Sequence, residues 1–291
     1  MRLNPDGTLQ VLTGQVDIAG TNIALAQIAA TAYGVDIDKV KITTGDTDVA
    51  PMTGLSARQQ EHLHRRRGRD ASRRERAEPD ARRSPPKELE ASVHDLEIDD
   101  GKVVVRGVPN KGITLAQIGK KGNLYMSKVE PVLGTSHPAF SVQAPAFCAQ
   151  LAKIEIDPDT GELTLHDFVV VQDVGKAINP LQIEGQMQGG AVQSLGMALT
   201  EALMYDDKGR LTNPSLLDYR KLTAADLPNI ETIIVEKPAP HGPFGARGVG
   251  EPPIVPAPAA IANAIADATG VRLTELPLSS ERIALAIASA S

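Results

Sequence analysis

The stretch GARGVGEPP at residues 245–253 places one carboxylate, Glu251, among three glycines and two prolines. Glycine permits backbone conformations that other residues avoid, and proline fixes φ. Such a loop can therefore hold a side chain in one place and let a ligand approach closely. A carboxylate held in this way can act as a general base. The same residues also describe an ordinary surface turn that carries a solvated glutamate, and the loop alone leaves both interpretations open.

Composition limits the class of protein. The 291 residues suffice for one large domain or two small ones, and the scarcity of aromatic residues (3%) predicts an aliphatic core. A net charge of −6 argues against a nucleic-acid-binding protein. The single cysteine, Cys148, excludes a disulfide framework, a zinc knuckle and an iron–sulfur cluster held by this chain alone. Without a long apolar run or a signal peptide, we expect a cytoplasmic protein with no membrane contact.

Residue patterns predict a mixture of strands and helices that positions these candidates. The predicted strands are 8–18, 40–44, 96–98, 103–105, 151–156, 163–171 and 230–235. The predicted helices are 23–33, capped by Thr21 or Asn22, a long one from Asn179 through Leu203, 256–269 and 280–288. Because no strict βαβ repeat is present, the pattern predicts an α+β fold with mixed, mostly antiparallel sheets. A hairpin turn at residues 4–7 needs a preceding strand, so we expect a piece of a larger protein.

Four motifs together resemble one family. They are GQVDIAGTN (14–22) before AQIAA (26–30); GDTD (45–48) with Pro51 and Gly54; DVGKAINP (173–180) before GQMQGG (185–190) and QSLG (193–196); and GEPP (250–253). In this order they resemble the C-terminal half of the molybdenum-cofactor subunit of the xanthine dehydrogenase/aldehyde oxidase family. The resemblance covers most of the chain outside residues 58–85. It implies a molybdopterin-binding domain over residues 1–291, with two lobes at 1–145 and 146–291 as one division.

The resemblance assigns roles to individual residues. Glu251 would be the catalytic base beside molybdenum. Gln186 would hydrogen-bond the edge of the pterin, because a side-chain amide can both donate and accept. The start of the first helix would lie near the cofactor's dinucleotide tail, where backbone N–H groups favour a pyrophosphate. The expected cofactor-binding residues are Gly20, Thr21, Asn22, Ala57, Gly185, Gln186 and Gly250. No side chain is expected to ligate the metal, since molybdenum is held through the pterin.

The same resemblance implies the reaction and the partners. The expected chemistry is hydroxylation of an electron-poor carbon, in an aldehyde or an N-heterocycle, with water as the oxygen source. The expected cofactor is molybdenum-molybdopterin in its cytosine dinucleotide form. The expected partners are the N-terminal half of the large subunit, an iron–sulfur subunit and an FAD-containing flavin subunit, together with a small-molecule substrate. This chain alone should not turn over substrate, and a remnant that keeps the fold but binds no cofactor is the alternative.

Residues 58–85 interrupt the resemblance. Ten of the chain's 17 arginines lie within residues 58–83, and no periodic apolar face can be drawn through them. The segment could be a basic arm that binds a polyanion or a disordered linker. We favour a third interpretation, a compensated pair of frameshifts, because residues 58–66 can be encoded so that the frame one nucleotide later reads GSKNIYTVG, which fits the family's loop. We expect the segment not to pack and the affinity for the cofactor to be reduced or lost.

Overall fold

The structure, a computed structural model, describes residues 1–48, 50–51, 89–127, 129–134, 144–240 and 243–290. The described residues fall into two compact units, one within residues 1–142 and the other within residues 143–291. Ala57 and the arginine-rich segment 58–85 lie outside the described residues. None of the described helices has the length and apolar character needed to cross a membrane, and the cytoplasmic location stays a prediction.

The described residues of the first unit form two three-stranded sheets and two α-helices. Its strands are β1 (Arg2–Leu3), β2 (Leu9–Leu12), β3 (Val40–Thr43), β4 (Leu96–Asp99), β5 (Lys102–Val105) and β6 (Val108–Thr114). Its helices are α1 (Thr21–Tyr33) and α2 (Leu115–Gly122). The sheet orders are β1-β2-β3 and β4-β5-β6. Buried side chains from both sheets and both helices, including Leu9, Tyr33, Leu96 and Ile118, form one apolar core.

Two expectations about the first unit are wrong. The predicted strand 8–18 ends at Leu12, because its parallel partner β3 ends at Thr43. The Thr13 N–H still donates to the Thr43 carbonyl at 3.1 Å, and the chain then leaves the sheet. Neither Thr21 nor Asn22 caps α1, since Gly20 occupies the N-cap position and both residues lie in the first helical turn.

The second unit is a three-stranded sheet covered by helices. Its strands are β7 (Phe147–Ile156), β8 (Leu163–Asp173) and β9 (Asn229–Val235), in the order β7-β8-β9. Its helices are α3 (Pro180–Leu199), α4 (Ala257–Thr269) and α5 (Ser280–Ala290). Phe168 and Val170 on β8 are fully buried with Met187 of α3 and Ile261 of α4, so the inward face of the sheet and the two helices share one core.

Helix α3 carries the third motif and presents one apolar stripe. Asn179 caps its first turn by accepting from the Gln182 N–H at 3.4 Å, and proline follows at the first helical position. The predicted extension to Leu203 is wrong, because the helix ends at Leu199. The N–H groups of Thr200 and Glu201 both bond to the Gly196 carbonyl, and the second of these bonds breaks the i→i−4 repeat.

The α+β expectation is confirmed. Four strand pairs among the described residues are antiparallel, and the pairs β2–β3 and β8–β9 are parallel. Parallel neighbours need a crossover connection. Helix α1 lies in the connection from β2 to β3, and α3 lies in the connection from β8 to β9. The helices that carry the first and third motifs therefore lie in the crossover connections between parallel strands.

Candidate functional site

The candidate base lies in a tightly turned segment, residues 247–254, named here the Glu251 loop. Residues 252–254 form a short 3-10 turn, in which the Ile254 N–H donates to the Glu251 carbonyl at 3.0 Å. The Glu251 side chain is exposed, and its carboxylate has no hydrogen-bond partner among the described residues. Exposure alone is also what a surface turn would show. The surroundings of the loop therefore decide how far its backbone is held.

The Glu251 loop packs against α3 at Gly190. A Cβ built at Gly190 would lie 3.0 Å from Pro253 Cβ and 3.2 Å from the Gly250 carbonyl oxygen, so the absence of a side chain lets the loop approach the helix. Gln186 precedes Gly190 by one helical turn and lies on the same side of α3. The Gln186 side chain is half-buried, and its amide has no hydrogen-bond partner in the part of the chain that the structure describes.

The start of the loop is attached to the DVG sequence of the third motif. Arg247 and Asp173 form a largely buried ion pair, with side chains 9% and 13% exposed and Arg247 Nε 3.2 Å from Asp173 Oδ2, although the pair is not aligned as a hydrogen bond. Asp173 Oδ1 also accepts from the Gly175 N–H at 2.9 Å. The Arg247 N–H donates to the Val174 carbonyl at 2.8 Å. Two motifs far apart in sequence therefore meet at one point.

Three further side chains contact the loop, and sequence analysis did not single them out. Gln172 Nε2 lies 3.2 Å from the carbonyl oxygens of both Gly248 and Val249. Gln150 Nε2 donates to the Pro253 carbonyl at 2.7 Å. The fully buried Ser194 hydroxyl donates to the Ile254 carbonyl. The sequence carried a signal for the burial of Gln172, though not for its partner, because Gln172 follows two apolar residues at alternate, inward positions of β8.

The residues assigned to the dinucleotide tail lie in the first unit. Thr21 Oγ1 donates to the Ile18 carbonyl at 2.7 Å, and the Asn22 N–H donates to Asp17 Oδ1 at 3.0 Å. The carboxylate of Asp17 thus occupies an N–H group that the resemblance assigns to a pyrophosphate, and it complements the helix dipole. Asn22 Oδ1 is buried without a hydrogen-bond partner among the described residues. As an acceptor, it suits an N–H or O–H group of a ligand.

Comparison with known proteins identifies the family. A family model for the molybdopterin cofactor-binding domain matches residues 1–228. The chain belongs to the molybdopterin cofactor-binding domain family. This assignment confirms the resemblance drawn from the four motifs. Gly250 and Glu251 lie beyond the matched residues, so their roles depend on the loop geometry and stay predictions.

Individual members of the family cover nearly all of the chain. The putative xanthine dehydrogenase molybdenum-binding subunit XdhA of Escherichia coli K12 is 32% identical over 286 residues, which are 97% of this chain and 38% of that protein. The carbon monoxide dehydrogenase large chain of Afipia carboxidovorans is 31% identical over 275 residues, 92% of this chain and 33% of that protein. The crystal structure of quinoline 2-oxidoreductase from Pseudomonas putida 86 superposes with a TM-score of 0.84 and 33% identity, and covers 99% of this chain and 37% of its own.

The chain therefore spans less than two-fifths of the length of these relatives, which are named as dehydrogenases or oxidoreductases, one of them as a molybdenum-binding subunit. Within the second unit, the residues present suit the cofactor that defines the family. The Gln186 amide, which no described residue engages, offers a donor and an acceptor, as a pterin edge requires. A Cβ built at Gly185, the preceding residue, would have no atom within 4 Å, so open space lies beside the helix at this point.

Proposed function

We propose that this chain is the part of a molybdenum-dependent hydroxylase large subunit that supplies the catalytic base and part of the pterin site. The substrate class is an aldehyde or an N-heterocycle, and water is the source of oxygen. The observation that carries the proposal is the Glu251 loop. Its backbone is held by hydrogen bonds beside the α3 face that carries Gln186, and its carboxylate has no partner within the described ranges of the chain.

In this proposal, some residues of the chain bind the cofactor and Glu251 transfers the proton. Gln186, with the backbone at Gly185 and Gly250, would hold the pterin by hydrogen bonds and close contact. The molybdenum cofactor supplies the redox chemistry and activates the oxygen when it is bound. Glu251 accepts the proton that must leave as the new carbon–oxygen bond forms, and it can do so because no group of the described chain occupies its carboxylate.

We also propose the nucleotide form of the cofactor and the partner subunits of the enzyme. Asn22 Oδ1, near the start of α1, is an acceptor that no described residue pairs. The exocyclic amine of cytosine is a donor, which favours the cytosine dinucleotide form at Gly20, Thr21 and Asn22. Several relatives are named as one subunit of a complex, such as subunit gamma of 6-hydroxypseudooxynicotine dehydrogenase. Iron–sulfur and FAD-containing partner subunits and the remaining large-subunit sequence would complete the enzyme.

The test uses Glu251→Gln in the enzyme assembled from this chain, the remaining large-subunit sequence and the partner subunits. We expect the variant to keep its molybdenum content, measured by mass spectrometry, while kcat on aldehydes and N-heterocycles falls by about 10²–10⁴-fold. Glu231→Gln is the matched control, because Glu231 is an exposed glutamate on β9. Full activity of Glu251→Gln would overturn the role of the base.

The purified protein also tests two other hypotheses, a remnant that binds no cofactor and an arginine-rich arm that binds a polyanion. A remnant that binds no cofactor would contain no molybdenum, yet the comparisons with molybdenum oxidoreductases favour the enzymatic interpretation. The polyanion-binding arm depends on residues 58–83, which lie outside the described residues. Deletion of residues 58–85 should abolish any salt-dependent binding of a polyanion if the arm is responsible.

A further inference from the structure

The bonds that hold the Glu251 loop end on carbonyl groups on both sides of Glu251. The carbonyls of residues 248 and 249 accept from Gln172, and those of residues 253 and 254 accept from Gln150 and Ser194. Only residues 250–252 lie between these attachments, and the proline at 252 has a fixed φ. The backbone at Glu251 therefore has little freedom even though its side chain is exposed.

We infer that Gln172, Gln150 and Ser194 are positioning residues that fix the backbone of Glu251 and so direct its carboxylate. The inference rests on the proposed role of Glu251 as the base. It assigns the positioning of that base to residues on β7, β8 and α3, none of which needs to touch the substrate or the cofactor.

The sheet register explains how two distant glutamines reach one loop. Gln150 on β7 lies opposite Val170 of β8, and Cys148 lies opposite Gln172. Gln150 and Gln172 are therefore diagonal neighbours on the same face of the antiparallel pair. This is the inward face, on which Phe168 and Val170 are fully buried. Two side-chain amides thus extend from an otherwise apolar row toward the Glu251 loop.

The two glutamines each place a polar group in the core at a cost in stability. Gln172 is fully buried, and Oε1 of Gln172 and Oε1 of Gln150 are both buried without a hydrogen-bond partner among the described residues. A buried acceptor that lacks a donor destabilises a fold, and an apolar side chain at the same place would avoid that cost. The bonds that the two Nε2 groups donate to the loop are the compensating gain, which argues that the position of the loop matters beyond stability.

Hydrogen exchange of the isolated full chain tests the inference without any cofactor. The Ile254 and Val255 N–H groups report the turn, because they donate to the carbonyls of Glu251 and Pro252. We expect Gln172→Leu to speed their exchange about tenfold, since the loss of a buried hydrogen bond frees the segment locally. The matched control is Gln188→Leu, whose amide donates to the Ile230 carbonyl at 3.4 Å from the exposed side of α3. This control should leave both rates unchanged.

The assembled enzyme provides the second measurement. Gln172→Leu should lower kcat about 10–100-fold and leave KM within about twofold, because a displaced base slows the proton transfer and not the binding of substrate. Gln150→Leu removes only the bond to Pro253 and should act in the same direction. If Gln172→Leu does not fold, Gln150→Leu decides the question.

The outcomes separate this inference from the function on which it rests. Unchanged exchange in both glutamine variants would refute the positioning role and leave the function of Glu251 standing. Faster exchange with unchanged kcat would refute it as well, because the contacts would then serve stability alone. Full activity of Glu251→Gln would instead refute the proposed function, whatever the exchange rates show.

Discussion

Replacement of Gly175 by alanine tests whether the DVG motif must approach the 245–253 motif closely. Gly175 has a φ of +69°, a conformation that costs an L-residue about 1–2 kcal/mol. A Cβ at this position would also fall closer than 3.0 Å to the Gly245 carbonyl oxygen and lie 3.1 Å from the Ala246 carbonyl carbon. Backbone atoms cannot rotate away, and overpacking costs a further 1–3 kcal/mol or so. We therefore expect Gly175→Ala to lower the free energy of unfolding by about 3 kcal/mol.

Two other glycines separate the conformational cost from the steric cost. Gly209 has a φ of +74° with no atom within 4 Å of a built Cβ, so Gly209→Ala should cost only about 1–2 kcal/mol. Gly189 lies inside α3 with equally open space, so Gly189→Ala should add up to about 1 kcal/mol of stability through helix propensity.

The assay is urea unfolding followed by far-ultraviolet circular dichroism, with all three variants and the parent chain at the same protein concentration. The free energy of unfolding should fall in the order Gly189→Ala, parent, Gly209→Ala, Gly175→Ala. If Gly175→Ala costs no more than Gly209→Ala, then contact with the Gly245 carbonyl does not limit this position, and the argument from close approach is refuted.

Three further predictions concern the loop, the thiol and one surface carboxylate. Gly190→Ala would displace the Glu251 loop by a few tenths of an ångström; we expect stability within about 1 kcal/mol of the parent but a kcat lower by about tenfold in the assembled enzyme, with Gly189→Ala as control. Burial raises the pKa of Cys148 from 9.0 to about 11, so iodoacetamide at pH 8 should modify this thiol about 100-fold more slowly in the native chain than in urea, and equal rates would contradict it. The Lys176 ammonium lowers the pKa of Glu236 below its ordinary 4.5, so this carboxylate stabilises the fold above that pH. The destabilisation by Glu236→Gln, measured by urea unfolding, should therefore fade as the pH falls through the lowered pKa, and a pH-independent difference would contradict the pairing.

The sequence by itself determined the local elements and the family. Apolar periodicity, together with Asn179-Pro180 at one helix start and glycines at helix ends, predicted helices near α1, α3 and α4, because these signals act within a few residues. The turn residues at 4–7 predicted the first hairpin, and the alternation of apolar residues predicted the strands 96–98 and 103–105 that pair in the second, for the same reason. The order of the motifs predicted the family, because short motifs can be recognised in the sequence before anything is known of the packing.

The tertiary structure decided what surrounds the candidate base. Gln172 and Gln150 lie 76 and 103 positions before the carbonyls that they bind, and nothing local to either glutamine indicates such a partner. Two predicted ends were wrong. The strand ends at Leu12 because its partner β3 ends there, and the helix ends at Leu199 because the Glu201 N–H bonds to the Gly196 carbonyl. Short-range propensities fix elements one by one, whereas the place of Glu251 depends on hydrogen bonds that exist only after β7, β8 and α3 have packed together.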